Sequence, residues 1–301
     1  MVAKKGRNLD KKNLIIIVLL LIVAVQMYFL YQASPGFREF FVHAKKSAVT
    51  VKKSVVPSEK VLVVPVKKEP VVSRTIPSGT AVLALVIDDW GYSTKNCQYL
   101  KDIKSPVTVA VLPDLPHSED VMKCAHDAGK EVMLHLPMEP HDNPDKYPED
   151  YLLKTSMSPI KIDSLLTKIL DKMPLVDGVN NHMGSKATED KRLITTVFKQ
   201  LKYRGLFFVD SRVTNKSVCA PLAKQMEIPF AARDIFLDNV NERGAIESQL
   251  AAAVRIAKKR GKALAIGHDR SLTLQVIQNK LPWLKSQGVE LVPVKEYINI
   301  Q

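Results

Sequence analysis

The amino-acid sequence predicts an α/β fold from residue 80 onward, in which a parallel sheet carries helices on its outside. Apolar runs of strand length alternate with segments of helical period through residues 80–301, and this alternation is typical of repeated βα units. Several of these runs are continuous, which indicates strands buried on both faces. Seven or eight such units predict a closed or nearly closed barrel, and an open doubly wound sheet is the alternative.

The elements follow from the apolar pattern in chain order. Two connecting segments, Lys191–Tyr203 and Ile246–Arg260, are amphipathic helices, and Gly205 and Gly261 are predicted to end them. The longest connection, residues 137–159, is predicted to be a lid or a binding loop, because long loops in compact domains are usually functional. The predicted strands are Ala81–Ile87, Val107–Leu112, Glu131–Leu136, Asp177–His182, Leu206–Asp210, Phe230–Leu237, Lys262–His268 and Val289–Val294.

Three segments precede this domain. Residues 1–13 form a basic tail, and residues 14–31 form an apolar stretch interrupted only by Gln26, which is just long enough for a transmembrane helix. The basic residues before it predict a cytoplasmic N-terminus, so we expect a single-pass inner-membrane anchor with the domain in the periplasm or otherwise outside the cytoplasmic membrane. A cleaved signal peptide is the alternative. Residues 32–79, rich in Val, Lys and Pro, are predicted to be a flexible linker.

The positive charge is concentrated before the domain. The whole chain has a net charge of +13, of which residues 1–80 carry +10 and residues 81–301 only +3. A nucleic-acid-binding domain carries its charge on the folded part, so this function is excluded. A basic linker suits a membrane face or an anionic polymer of the cell envelope.

Acidic and histidine side chains stand at the ends of four predicted strands. Asp88 and Asp89 follow the first apolar run directly, and His135, His182 and His268 end three later runs. Adjacent carboxylates repel each other, and a bound cation is the commonest solution. A lone Asp or His here is often a helix cap or a structural residue, but capping does not predict three strand-terminal histidines. Because these strand ends meet at one edge of the sheet, the pattern predicts one metal-dependent active site.

Seven short motifs occur in order along residues 82–300. They are Ile87–Gly91, Val109–Pro113, Glu131–Pro140, Gly178–Ser185, Phe207–Arg212, Arg233–Asp238 and Ile266–His268. This series resembles the divergent polysaccharide deacetylase family, a branch of the polysaccharide deacetylase superfamily. The resemblance implies a distorted (β/α) barrel, a divalent metal with zinc as the expected ion, and hydrolysis of an N- or O-acetyl group on a glycan.

The resemblance also implies roles for individual residues. Asp88 matches the general base and Asp89 a metal ligand. His135 matches the first of two histidine ligands spaced i, i+4, but Glu139 stands at the second position. A carboxylate there could ligate the metal, and His182 on the next strand could supply the missing imidazole.

His268 matches the general acid of the superfamily. Asp269 follows it, where members of this branch commonly have proline. Asp269 could accept a hydrogen bond from His268 and raise its pKa, or it could cap the next helix, and the helix-start context favours the cap.

Two arginines lie beside strand-end acids. Arg212 neighbours Asp210, and Arg233 neighbours Asp234. Structural ion pairs across the barrel mouth are one interpretation. The other is that these residues orient Asp88 or bind substrate.

The sequence therefore predicts a metal-dependent hydrolase that removes acetyl groups from an envelope glycan. The alternative is a non-catalytic envelope protein that binds a glycan or a partner on the same fold. A metal phosphoesterase is less favoured, because no second metal cluster is evident in the sequence.

Overall fold

The computed structural model describes residues 80–142 and 150–300. The predicted basic tail, membrane anchor and linker lie outside this range. Within the range, none of the helices combines the length and the apolar character that crossing a membrane requires.

The described residues form one parallel sheet surrounded by helices. The strands are β1 (Ala81–Trp90), β2 (Thr108–Val111), β3 (Glu131–Met138), β4 (Gly178–Met183), β5 (Phe207–Asp210), β6 (Phe230–Ala232), β7 (Ile235–Phe236), β8 (Lys262–His268) and β9 (Val289–Val292). The helices are α1 (Cys97–Asp102), α2 (Ser118–Asp127), α3 (Pro159–Asp171), α4 (Lys191–Arg204), α5 (Cys219–Met226), α6 (Arg243–Arg260), α7 (Ser271–Ser286) and α8 (Val294–Asn299), with a 3₁₀ turn at Ala187–Glu189.

The sheet curves back on itself. Its strand order is β6-β5-β4-β3-β2-β1-β8-β7, and β9 pairs with the first half of β1. The two ends of this path, β6 and β7, are separated in the chain only by Arg233 and Asp234. Because consecutive residues join the two edges, the sheet is consistent with a distorted barrel, and the open doubly wound alternative is wrong.

The same connection corrects one predicted element. The segment Phe230–Leu237 was expected to be a single strand, but it forms β6 and β7. The Arg233 N–H donates to the Asp210 carbonyl, and the Asp234 N–H donates to the Leu264 carbonyl. The chain thus changes partner from β5 to β8 within two residues, which one straight strand cannot do.

The helices end where the sequence predicts. Gly205 and Gly261 follow α4 and α6 with φ values of 65° and 84°, the left-handed conformation that glycine adopts without steric cost. At its other end, α4 is capped by Asp190, whose carboxylate accepts from the N–H groups of Arg192 and Leu193.

The first strand is buried on both faces, as predicted. Val82, Ala84 and Val86 belong to a cluster whose other members come from strands and from α8. The residues between them belong to a second cluster that includes the helices. The first cluster is therefore the barrel interior and the second is the layer beneath the helices.

Candidate metal centre

The site begins at the last interior-facing positions of three strands. Asp88, His135 and His268 each follow by two residues an apolar member of the interior cluster. Side chains alternate along a strand, so all three face the same interior at its C-terminal end. Those apolar residues are Val86 on β1, Met133 on β3 and Ile266 on β8.

A backbone irregularity brings the neighbouring Asp89 to the same site. The pairing of β1 with β2 shifts register between Ile87 and Trp90, and Asp89 has φ 65°. A left-handed φ is uncommon for residues other than glycine, and bulges beside active sites redirect a side chain. Regular alternation would point Asp88 and Asp89 to opposite faces, whereas this bulge lets both serve one site.

Three donor atoms converge at this point. Asp89 Oδ1 lies 3.2 Å from His135 Nε2 and 3.0 Å from His182 Nδ1, and the two nitrogens are 2.9 Å apart. Within the part of the chain that the structure describes, this is the group of His, Cys, Asp and Glu side chains that could hold a metal ion. The predicted ligands thus lie together in the structure: Asp89, His135 and His182 form one group.

The donor set fits a divalent ion. In a tetrahedral zinc site with bonds of about 2.0–2.1 Å, ligand atoms are roughly 3.3 Å apart, close to the separations here. Asp89 Oδ1 is buried, and among the described residues no donor reaches it with good hydrogen-bond geometry. Such an oxygen is costly unless it is compensated, and a cation would compensate it.

The charge states of two of the donors, Asp89 and His182, also suit a metal. Burial opposes ionisation of Asp89, but the two imidazoles beside it hold the pKa of its carboxyl below the usual range. Burial lowers the pKa of His182 despite the nearby carboxylate of Asp89. An ionised carboxylate and a neutral imidazole are the forms that bind metals.

Asn180 is a site residue that the sequence analysis missed. Its Nδ2 donates to Asp88 Oδ1 at 2.8 Å, and its Oδ1 lies 2.8 Å from His135 Nδ1. An ionised carboxylate only accepts, so the amide NH₂ faces Asp88 and the amide oxygen accepts a hydrogen bond from the Nδ1–H group of His135. This leaves the Nε2 lone pair of His135 directed at the donor group. A signal was available, since Asn180 precedes His182 by two residues and shares its face of β4.

Asp88 lies behind the donor group. Its side chain is buried, with Oδ2 3.7 Å from His135 Nε2. Burial raises the pKa of the Asp88 carboxyl above its usual value, and the neighbouring His135 only partly opposes this. A carboxylate with a raised pKa is a better proton acceptor at neutral pH.

His268 is held by Asp238, a second residue that the sequence analysis did not assign. The His268 Nδ1 lies 2.7 Å from Asp238 Oδ1, and the His268 N–H donates to Asp238 Oδ2 at 2.9 Å. Thr273 Oγ1 donates to the same oxygen at 2.7 Å. Burial works against the imidazolium, but Asp238 raises the pKa of His268 above its usual value. In the pairing of β1 with β8, His268 is directly opposite Asp88.

The predicted roles of Asp269 are wrong. Its Oδ1 accepts from Asn96 Nδ2 at 2.6 Å, and the N-cap residue of α7 is Arg270. Asp269 therefore connects two loops at the strand ends, and Asp238 is the acid that faces His268.

Glu139 is not part of the donor group. Its Oε2 accepts from the N–H and hydroxyl of Thr155 at 2.6 and 2.7 Å, and its Oε1 accepts from Lys186 Nζ at 2.8 Å. The i, i+4 spacing brings ligands together on a helix, but β3 is extended through Met138, so His135 and Glu139 are about 13 Å apart along the chain. Glu139 instead holds Thr155, near the end of the long connection, and Lys186 through these hydrogen bonds.

The two predicted arginine ion pairs are also absent among the described contacts. Asp210 accepts from the Arg212 backbone N–H and from Ser217 Oγ. Asp234 accepts from Arg260 Nη1 at 2.8 Å and from the Leu264 N–H. Asp210 and Asp234 thus stabilise loops.

Arg212 and Arg233 are turned toward backbone oxygens. Arg233 Nε donates to the Ser211 carbonyl at 2.7 Å and its Nη2 to the Arg212 carbonyl at 2.8 Å. Arg212 Nη1 is 3.5 Å from the Arg233 carbonyl. The contact that orients Asp88 comes from Asn180.

The fold and the site define an α/β domain of the polysaccharide deacetylase type. Residues 85–298 match the family described as divergent polysaccharide deacetylase, and the chain belongs to this family. The family resemblance predicted from the seven motifs is confirmed.

Two curated relatives share about a third of the aligned residues. An uncharacterized protein of Haemophilus influenzae is 36% identical over 196 residues, covering 65% of this chain and 69% of its own. The uncharacterized protein YibQ of Escherichia coli K12 is 34% identical over 197 residues, and the alignment spans 65% of this chain and 61% of the relative. Among solved structures, an uncharacterized protein of Agrobacterium tumefaciens C58 has the same fold, with a TM-score of 0.70, 22% identity and coverage of 75% and 92% of the two chains.

Proposed function

We propose that this protein is a metal-dependent hydrolase that removes acetyl groups from a glycan of the cell envelope. The observation that carries the proposal is the convergence of Asp89, His135 and His182, with Asp88 and His268 opposite each other on adjacent strands. Membership in the polysaccharide deacetylase family supports an acetylated glycan as the substrate.

Asp89, His135 and His182 would hold the divalent ion. Two imidazoles and one carboxylate are a ligand set of hydrolytic zinc sites, so zinc is the expected ion. When bound, it supplies a Lewis acid for the acetyl carbonyl and lowers the pKa of water.

Asp88 and His268 move the protons. Asp88 accepts the proton of the attacking water, and Asn180 holds its carboxylate in place. His268 donates a proton to the departing amine or alkoxide of the sugar. Asp238 fixes the imidazole through Nδ1, which leaves Nε2 as the nitrogen that exchanges the proton.

The envelope location rests on the predicted anchor at residues 14–31 and the basic linker after it. A reporter that is active only outside the cytoplasm, fused after Gln301, should be active. Cytoplasmic reporter activity or a soluble form lacking residues 1–33 would contradict the single-pass topology.

Acetate release tests the chemistry. The full-length protein, stripped by a chelator and reloaded with zinc, manganese or cobalt, is incubated with N- and O-acetylated oligosaccharides. We expect acetate from at least one glycan with reloaded protein and none after chelation. Glycan binding without acetate release, whichever metal is loaded, would contradict the hydrolase and support the non-catalytic binding protein.

A further inference from the structure

A cavity lies beside the proposed site at the C-terminal edge of the sheet. Its volume is about 360 Å³, within the range of about 300–1,000 Å³ that is typical of ligand pockets. It opens between the loop after β5 and the connection from β6 to β7. We call it the arginine cavity. Its lining residues are Arg212, Val213, Thr214, Asn215, Arg233 and Asp234.

The arginine cavity contains two guanidinium groups without a carboxylate partner. Among the described residues, no carboxylate oxygen lies within 4.0 Å of either one, and their hydrogen bonds go to backbone carbonyls. Asp234 lines the cavity, but both of its oxygens are engaged, one by Arg260 and one by the Leu264 N–H. Two like charges at one cavity favour an anion, and the planar guanidinium matches carboxylate and phosphate geometry.

A stacked arrangement connects this cavity to the proton donor. The guanidinium of Arg233 lies 3.6 Å from the centre of the Phe236 ring. The same Phe236 ring also stacks with the His268 imidazole, with centroids 5.8 Å apart and an interplanar angle of 22°. Phe236 therefore contacts both the guanidinium and the imidazole. A group bound in the arginine cavity would lie beside the proposed proton donor rather than in its place.

We infer that the arginine cavity binds an anionic group, a carboxylate or a phosphate, carried by the glycan beside the sugar that is deacetylated. The inference rests on the proposed function for the identity of the ligand as a glycan. It narrows the substrate from acetylated glycans in general to anionic ones.

Calorimetric binding with matched oligosaccharides tests the inference. The full-length protein is titrated with three acetylated oligosaccharides of equal length: one neutral, one containing a uronic acid and one bearing a phosphate monoester. We expect the wild type to bind an anionic oligosaccharide roughly 10-fold or more tightly than the neutral one, as charge-assisted hydrogen bonds provide. The uronic acid and phosphate arms identify which anion is preferred, and the preference should shrink at high salt.

Arg212→Gln is the deciding variant. The Arg212 side chain is exposed and makes only the long contact to the Arg233 carbonyl, so its loss leaves the packing of the site intact. We expect this variant to lose the preference for the anionic oligosaccharide. Arg255→Gln, which removes the same charge from the exposed face of α6, should keep it.

The results separate this inference from the proposed function. Equal affinity of the wild type for neutral and anionic oligosaccharides, or no binding of either, overturns the inference even if acetate is released. An anion preference that survives in Arg212→Gln also overturns it. Anion-selective binding that is lost in Arg212→Gln, without acetate release from any glycan, supports the cavity and contradicts the hydrolase.

Discussion

At the scale of single residues, the site depends on a buried amide that serves two groups at once. Asn180 donates to Asp88 and accepts from His135, so one side chain fixes both the proton acceptor and a metal ligand. Neither Asp88 nor His135 can replace the amide, because an ionised carboxylate has no donor and a neutral imidazole has only one. Asn180 therefore couples metal affinity to the orientation of the base.

Replacing this amide should weaken metal binding. In Asn180→Ala, His135 loses the partner that fixes its tautomer, and loss of such a partner typically costs roughly 10- to 100-fold in metal affinity. We expect this loss in a titration with zinc monitored by calorimetry. Asn299→Ala, on the exposed face of α8, is the matched control. Unchanged zinc affinity in Asn180→Ala would show that the amide does not support metal binding.

The pairing of Asp238 with His268 predicts a change in pH dependence. A general acid must be protonated, so activity falls as the pH rises through its pKa. Asp238 raises the pKa of His268, so Asp238→Asn should lower that pKa and move the alkaline limb of kcat/KM to lower pH. The measurement is the pH profile of kcat/KM for both proteins with metal in excess. An alkaline limb that stays in place would show that Asp238 has only a structural role.

At the scale of elements, the proposed site lies at the strand ends because the C-terminal ends of parallel strands meet at one edge of the sheet. The strand β8 was predicted with its observed bounds, Lys262–His268, and the predicted bounds of α4 differ from those observed by one residue. Continuous apolar runs and helical periods are local, so the sequence reveals them. The polar residues that follow such runs could also be identified, which is why Asp88, Asp89, His135, His182 and His268 were found.

Contacts between distant strands could not be found in this way. Asp238 is 30 residues from His268, and Asn180 is 92 residues from Asp88. Both pairings depend on strand register, and the pairing of Asp238 also depends on the change of partner between β6 and β7; no local pattern specifies either. Glu139 illustrates the opposite error, since it stands at the position of a second ligand in the family motif, but its carboxylate binds Thr155 and Lys186 instead.

Close packing at the end of β8 leaves too little room for a side chain at Gly267. A Cβ at this position would lie 2.9 Å from Cγ2 of Thr273, the residue whose hydroxyl donates to Asp238. We expect Gly267→Ala to lower the free energy of unfolding by about 1–3 kcal/mol, measured by urea denaturation. Thr273→Ser in the same chain removes the methyl group but keeps the hydroxyl, and should restore stability.

Gly244→Ala is the matched control for this change, because a Cβ there meets nothing within 4 Å. It should not lower the free energy of unfolding, because alanine is favoured over glycine in a helix. A double variant no more stable than Gly267→Ala alone would contradict the steric explanation.

At the scale of the whole molecule, the two ends of the barrel have different tasks. The C-terminal ends of the strands hold the site, and the opposite end is closed by α8. There, Glu131 accepts from the N–H groups of Val294 and Lys295 and from Thr108 Oγ1, which fastens the start of α8 to β2 and β3. This carboxyl holds α8 against the strands and takes no part in the proposed chemistry.

Burial of Glu131 predicts a dependence of stability on pH. Burial raises its pKa to about 7, above the ordinary value of 4.5. Between these values the folded state binds more protons than the unfolded state, so its free energy of unfolding falls as the pH rises. We expect Glu131→Gln to flatten this part of the curve in urea denaturation between pH 4.5 and 7. Parallel curves for the two proteins would rule out Glu131 as the cause.

In the proposed mechanism, Asp88 accepts a proton beside a metal that other residues hold. The measurement that tests this role is acetate release by metal-loaded Asp88→Asn, with bound metal measured in the same sample. We expect the variant to retain its metal and glycan affinity, because Asp89, His135 and His182 hold the ion. We expect acetate release to fall by about 10²–10⁴-fold, the usual contribution of a general base. Acetate release at the wild-type rate by metal-loaded Asp88→Asn would rule out Asp88 as the general base.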